Sequence, residues 1–147
     1  YEAIYLDAGV IHAYLEGSGI EIMASGDNVL RAGLTSKHID IPKLCEIMTF
    51  APYMPDIQTA PRDDDYLHGY QSEANDFKLY HLKLNKEDKA LNIKGIKIVL
   101  CLSGELKLIS DKDELLLSRG ESAVISASRT ELSISGKGSA VLASPGQ

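Results

Sequence analysis

From residue 77 onward the chain alternates apolar and polar positions in short runs. They are FKLYHLKL (77–84), IKIVLCL (96–102), ELKLI (105–109), ELLL (114–117), SAVISA (122–127), ELSIS (131–135) and SAVLAS (139–144). A period of two sends alternate side chains to opposite faces, so each run reads as a strand with one face turned to a core. Between the runs stand NKED, SGE, SDKD, SRGE and GKG, which supply turn residues. Evenly spaced short strands of this kind predict an antiparallel sandwich or barrel, with hairpins as the links.

The first third of the chain has a different pattern. YEAIYLDAG (1–9) opens as a strand, and IEIM (20–23) alternates like one. Asp27 is placed to cap a short helix NVLRA that Gly33 would end. Asp40 followed by Ile-Pro is a start signal for a second helix, PKLCEIM. From residue 51 to 75 come Pro52, Pro55 and Pro61 with the acidic run Asp63, Asp64 and Asp65, an irregular crossing with a solvated acidic loop. The expected organisation is a short, incomplete unit over 1–50, a connecting loop over 51–76 and a second β-barrel over 77–147. No repeat of 20–50 residues is visible, although Asp7-Ala8-Gly9 and Ser118-Arg119-Gly120 both place glycine just before a strand and hint at two related barrels.

Composition narrows the function classes. A chain of 147 residues can hold one domain with a real core, or part of one domain joined to a smaller complete one. The net charge is −6 with lysines and acids interspersed, so no basic stripe exists to neutralise a nucleic-acid backbone. The apolar run 96–102 contains a lysine and falls well short of the roughly 20 residues of a membrane helix. A cytoplasmic protein that contacts neither nucleic acid nor membrane is expected. The chain begins at Tyr1 rather than methionine, and no signal-peptide pattern opens it, so it reads as a processed or cut piece. Cys45 and Cys101 lack CxxC spacing and read as buried, reduced thiols.

The candidate chemistry lies in HAYLEGSGIEIMASGDNVLRAGLT, residues 12–35. His12 stands at the end of a β-run, where an imidazole can ligate zinc or simply form a hydrogen bond. Glu21 is a base, a ligand-orienting group or a solvated strand residue. Arg31 follows Asp27 by four positions, which suits an ion pair on a helix; it also suits stabilisation of negative charge in a transition state. Thr35 and Lys37 form a polar loop open to a phosphate. His38, His68 and His81 each stand alone in the sequence.

Read together, HAYLEG and IEIMASGDNVLRAGLTSKHIDIPKL resemble the type I mannose-6-phosphate isomerase family, zinc enzymes built on cupin barrels. CLSGELKLISDKDELLLSRGESAVISA resembles that family's second, C-terminal cupin. The resemblance implies a mainly β fold: a cupin (jelly-roll, double-stranded β-helix) barrel with a short helical segment, preceded by the incomplete tail of a catalytic cupin. It also implies reversible conversion of mannose 6-phosphate to fructose 6-phosphate through a cis-enediol, with Zn²⁺ as cofactor and a phosphosugar as substrate. Carried over position by position, His12 is a zinc ligand and Arg31 the catalytic arginine. Glu21 is a second catalytic candidate, and Tyr14, Asp27 and Lys37 match positions that line the site. Ile11 replaces the family's usual proline and Gly26 its usual serine. The other zinc ligands, a Gln-x-His pair and a glutamate, have no counterpart, so the missing N-terminal part of the same enzyme is the expected partner and the chain alone is expected to fold but not turn over. The second barrel lacks the histidines of metal-binding cupins and is read as structural. The alternative is a non-catalytic sugar-phosphate-binding or assembly module.

Overall fold

The structure, a computed structural model, describes residues 1–26, 29–59, 66–92, 94–110, 113–129 and 132–146. The chain divides into two compact units, Tyr1–Ala3 with Gln58–Gln147, and Ile4–Ile57. The described elements are β1 (Glu2–Ala3), α1 (Ile41–Ile47), β2 (Gln58–Thr59), β3 (Leu67–Gly69), β4 (Phe77–Asn85), β5 (Lys89–Ala90), β6 (Lys97–Ile109), β7 (Glu114–Ser118), β8 (Ser122–Ile125) and β9 (Ser133–Pro145). No helix among the described residues is long and apolar enough to cross a membrane.

Two 13-residue strands, β6 and β9, form the spine of the larger unit. They run antiparallel from Ile98 opposite Ala143 to Ile109 opposite Ser133. Each then uses its other edge twice. The first half of β6 pairs with β8 and its second half with β7, while β9 pairs with β5 near its start and with β4 further on; β3 completes the sheet beside β4. Alternation along β6 turns Val99 and Cys101 inward, and beyond a bulge between Cys101 and Ser103 it turns Leu106 and Leu108 inward. They meet Leu82 and Leu84 of β4, Leu117 of β7, Ile125 of β8, and Ile134, Ala140 and Leu142 of β9 in one buried cluster. The alternation seen in the sequence therefore becomes the core.

The links differ from the expectation. IKIVLCL and ELKLI are one strand, and so are the described part of ELSIS and SAVLAS, because the SG and GKG stretches are bends inside strands instead of turns. Gly104 has φ 72°, and a Cβ there would stand 1.9 Å from the Lys137 carbonyl oxygen; Gly136 has φ 115°, with a Cβ 2.2 Å from that of Glu105. Glycine lets the two spine strands touch while bending. Among the described strands of this sheet, sequential neighbours pair only in β3–β4 and β6–β7, since the long strands recruit partners from across the chain. Gly104→Ala forces the strands apart and is expected to cost about 2 kcal/mol, read as a lowered urea midpoint with an unchanged m-value.

Lys97, the apparent interruption in the apolar run, has a buried stem at 2% exposure and donates from Nζ to the Gly95 carbonyl at 2.7 Å. Burial lowers its pKa. The long aliphatic stem serves as core while the amine finds a carbonyl at the barrel end. Cys101 is buried as expected, and burial pushes its thiol pKa up, so it is an unreactive thiol.

The strand β1 pairs with β2 and is seated by Tyr1. The Tyr1 ring lies 4.4 Å from that of His81, and its hydroxyl is 3.3 Å from Ser139 Oγ, itself 2.7 Å from Ser103 Oγ. Beside β2, the Gln58 side chain donates to the Gln71 carbonyl and accepts from its N–H, both at 2.7 Å. His81 is 7% exposed, and its Nε2 has no hydrogen-bond partner among the described residues. Burial first, with the charges of His68 and Lys83, lowers its pKa. The folded unit thus favours the neutral ring, so stability is full above the ordinary imidazole value of about 6.5 and falls as the pH drops below it. We expect a lower Tm at pH 5.5 than at pH 7.5, and a smaller difference in His81→Gln.

The unit Ile4–Ile57 contrasts with this barrel because none of its described residues is fully buried. Leu15, Phe50 and Met54 are 87%, 74% and 91% exposed. The strand expected over 1–9 shortens to β1, that expected at 20–23 is absent, and residues 29–32 are not helical; Asp27, the expected cap, lies outside the described residues, as do Asp63, Asp64 and Asp65. Short amphipathic segments are stable only against a surface that buries their apolar side. The helix α1 survives because its signals are local: Asp40 Oδ1 accepts from the Lys43 N–H at 3.0 Å, and Pro42 stands in the first turn. Cys45 on this helix is exposed, against the expectation of burial, because α1 has no buried face.

Candidate functional site

The site begins with a tight turn. Within residues 7–10, the Val10 N–H donates to the Asp7 carbonyl at 3.3 Å, and Asp7 Oδ1 accepts from the Ala8 N–H at 2.8 Å. Gly9 supplies the positive φ, 82°, that a turn of this kind requires at its third residue. Residues 118–121 make the same turn, with Gly120 at φ 86° and the Glu121 N–H donating to Ser118 at 3.0 Å. The recurrence noticed in the sequence is therefore a shared local geometry.

The Gly9 carbonyl accepts from the Thr49 N–H at 2.9 Å, which fastens the turn to the chain leaving α1. A second tether runs from the Tyr53 hydroxyl to the Tyr5 carbonyl at 2.6 Å. Between these tethers lies a cleft of about 420 Å³ lined by Ile4, Leu6, Val10, Ile11, His12, Met48, Thr49, Ala51, Tyr53 and Pro55. His12 is the one titratable imidazole on this mostly apolar lining.

Its Nδ1 lies 3.1 Å from the Val10 carbonyl. A carbonyl oxygen only accepts, so this contact calls for a proton on Nδ1, and in the neutral ring Nε2 then keeps its lone pair. That is the tautomer a metal-ligating histidine needs, with the other ring nitrogen donating to a carbonyl. His12 therefore fits one position in a zinc coordination sphere. Among the described residues, no group of three or more His, Cys, Asp or Glu comes together to complete such a sphere.

Tyr14 lies next to His12, edge to face with ring centroids 6.2 Å apart. Desolvation and then the charge and hydrogen bond of Glu21 raise the phenol's pKa. The phenol thus faces the Glu21 carboxylate, and His12, Tyr14 and Glu21 form one connected group. Arg31 and Lys37 are exposed, and no hydrogen bond, ion pair or ring contact joins either to that group among the described residues. The Lys37 backbone N–H donates instead to Thr35 Oγ1 at 3.2 Å. Leu34, between Arg31 and Lys37, holds φ at 51°, an unusual conformation for a non-glycine residue. Asp27, expected to bind substrate, lies outside the described residues. Thr49 and Gly9 carried no chemical signal in the sequence; only the turn pattern around Gly9 was readable there.

The rolled antiparallel sheet on two long central strands makes the larger unit a cupin-type β-barrel. The family model described as mannose-6-phosphate isomerase, cupin domain, matches residues 69–145. The chain is 38% identical over 138 residues to mannose-6-phosphate isomerase of Salmonella typhimurium, covering 93% of this chain and 35% of that protein. It is 39% identical over 143 residues to the same enzyme of Rattus norvegicus, covering 89% and 33%. Among solved structures, a point variant of phosphomannose isomerase from Salmonella typhimurium superposes with a TM-score of 0.72 at 32% identity, over 84% of this chain and 33% of that one. A zinc-bound mannose 6-phosphate isomerase gives 0.69 at 32% identity, over 82% and 31%. The chain belongs to the mannose-6-phosphate isomerase family. It spans about a third of the length of the relatives it matches.

Proposed function

We propose that this chain is the C-terminal portion of a mannose-6-phosphate isomerase, with residues 1–50 contributing one wall of the catalytic site and residues 77–147 a structural cupin. The observation that carries this reading is the His12 imidazole, which lines the cleft with Nδ1 against the Val10 carbonyl and lies beside Tyr14 and Glu21. The family relatives are about three times as long as this chain, which leaves room for a facing wall outside it.

In this reading His12 is one ligand to Zn²⁺, and the others come from the N-terminal part of the cytoplasmic enzyme. The bound ion would supply Lewis-acid polarisation of the sugar's oxygen. Aldose–ketose interconversion moves a proton between C1 and C2 through a cis-enediol, and negative charge builds on oxygen on the way. Arg31 is the group on this chain suited to meet that charge, because a guanidinium stays protonated and offers several donors. Glu21 accepts from Tyr14 and orients it toward substrate, or takes the proton itself. Lys37 and Asp27 complete the polar surface that binds the phosphosugar.

A coupled assay of the full-length protein against mannose 6-phosphate and glucose 6-phosphate tests the proposal. Turnover of mannose 6-phosphate, with glucose 6-phosphate slower, is the expected result. Turnover of neither sugar, with phosphosugar binding retained, would favour a non-catalytic binding module.

A further inference from the structure

We infer that Gly9 is a positioning residue for His12, acting through the clamp between its carbonyl and the Thr49 N–H. The inference rests on the reading of His12 as a ligand given above. His12 is exposed, so burial does not fix its ring; beside the edge-on contact with Tyr14, its hydrogen bond among the described residues is to the backbone carbonyl of Val10. Three hydrogen bonds run in series. The Thr49 N–H donates to Gly9 O at 2.9 Å, the Val10 N–H closes the turn on Asp7, and Val10 O accepts from His12 Nδ1 at 3.1 Å.

The first of these permits no side chain at position 9. A Cβ there would lie 2.7 Å from the Ile47 carbonyl oxygen and 3.0 Å from Thr49 Oγ1, at a φ of 82° that L side chains rarely adopt. Substitution must therefore lift the turn from the end of α1. When the turn moves, Val10 O leaves the ring, and the imidazole reverts to the tautomer usual in free histidine, with the proton on Nε2. The nitrogen needed for a ligand is then blocked. The Thr49 side chain is dispensable in this scheme, because its contribution is a backbone N–H.

The test is two-bond ¹H–¹⁵N correlation of the neutral His12 ring in this chain, compared with Gly9→Ala and Thr49→Ala. The Nδ1–H tautomer should predominate in the wild type and in Thr49→Ala, and give way to Nε2–H in Gly9→Ala, with the amide signals of the barrel unchanged. A wild-type ring carrying its proton mainly on Nε2, or a Gly9→Ala ring unchanged from wild type, would overturn the inference. The wild-type measurement decides even if Gly9→Ala disorders its segment. In the full-length protein, Gly9→Ala should weaken zinc binding about 10–100-fold, as loss of an outer hydrogen bond to a ligand does, while Thr49→Ala should not; equal affinity in wild type and Gly9→Ala would count against the clamp. Tautomers that change as stated in a full-length protein without isomerase activity would retire the functional reading and leave the positioning intact.

Discussion

Replacing Arg31 with alanine in the full-length protein is expected to lower kcat on mannose 6-phosphate about 10²–10³-fold, the usual loss when one donor to a developing oxyanion is removed. The structure makes the interpretation direct. Arg31 is exposed and makes no ion pair among the described residues, so its removal should cost the described fold little. Charge on the enediolate oxygen exists in the transition state but not in the bound sugar, so kcat and kcat/KM should fall together. Arg31→Lys should recover part of the rate, because it restores charge without the guanidinium's paired donors. Steady-state kinetics with zinc content measured in parallel would read the result; unchanged turnover would remove Arg31 from the mechanism.

The second large effect concerns His12. In the full-length protein, His12→Ala should lower zinc affinity by more than about 100-fold, beyond the loss from an outer-sphere hydrogen bond, and turnover should fall with zinc occupancy. Within this chain the substitution removes one hydrogen bond, to Val10. Stability of the barrel should therefore stay as it is, and a Tm within a degree or two of wild type together with metal loss separates ligand from scaffold. Full zinc occupancy in the purified variant would show that His12 is no ligand.

Parts of this structure were legible because their causes are local. The start of α1 follows from Asp40 and Pro42, a few residues from the helix they begin. The faces of β4 and β6 follow from alternation, with Leu82, Leu84 and Val99 buried as the pattern requires. Other features depend on residues far apart in the chain. Gly104, Gly136 and Gly138 looked like turn residues, yet Gly104 and Gly138 face each other across β6 and β9, and Gly136 faces Leu106. The Tyr1 contact with His81 and the Gln58 clamp on Gln71 carry no pattern at all.

The same division runs through the candidate site. Spacing alone left His12, Glu21 and Arg31 between chemical and ordinary roles, and only the family resemblance separated them. The structure then joined His12, Tyr14 and Glu21, although Glu21 does not sit on the strand expected for IEIM. That strand is absent for a physical reason. Ile20 and Met23 remain 43% and 54% exposed, with none of the described residues of Ile4–Ile57 burying them.

The central claim is that these residues form one wall of a zinc-dependent isomerase site and that the facing wall lies elsewhere in the full-length protein. It is tested most directly by mannose 6-phosphate turnover of the full-length protein before and after chelation, beside the 147-residue chain alone. The account predicts turnover that chelation abolishes and added Zn²⁺ restores, with none from the chain alone. Turnover by the isolated chain, or turnover by the full-length protein that survives complete removal of zinc, would contradict it.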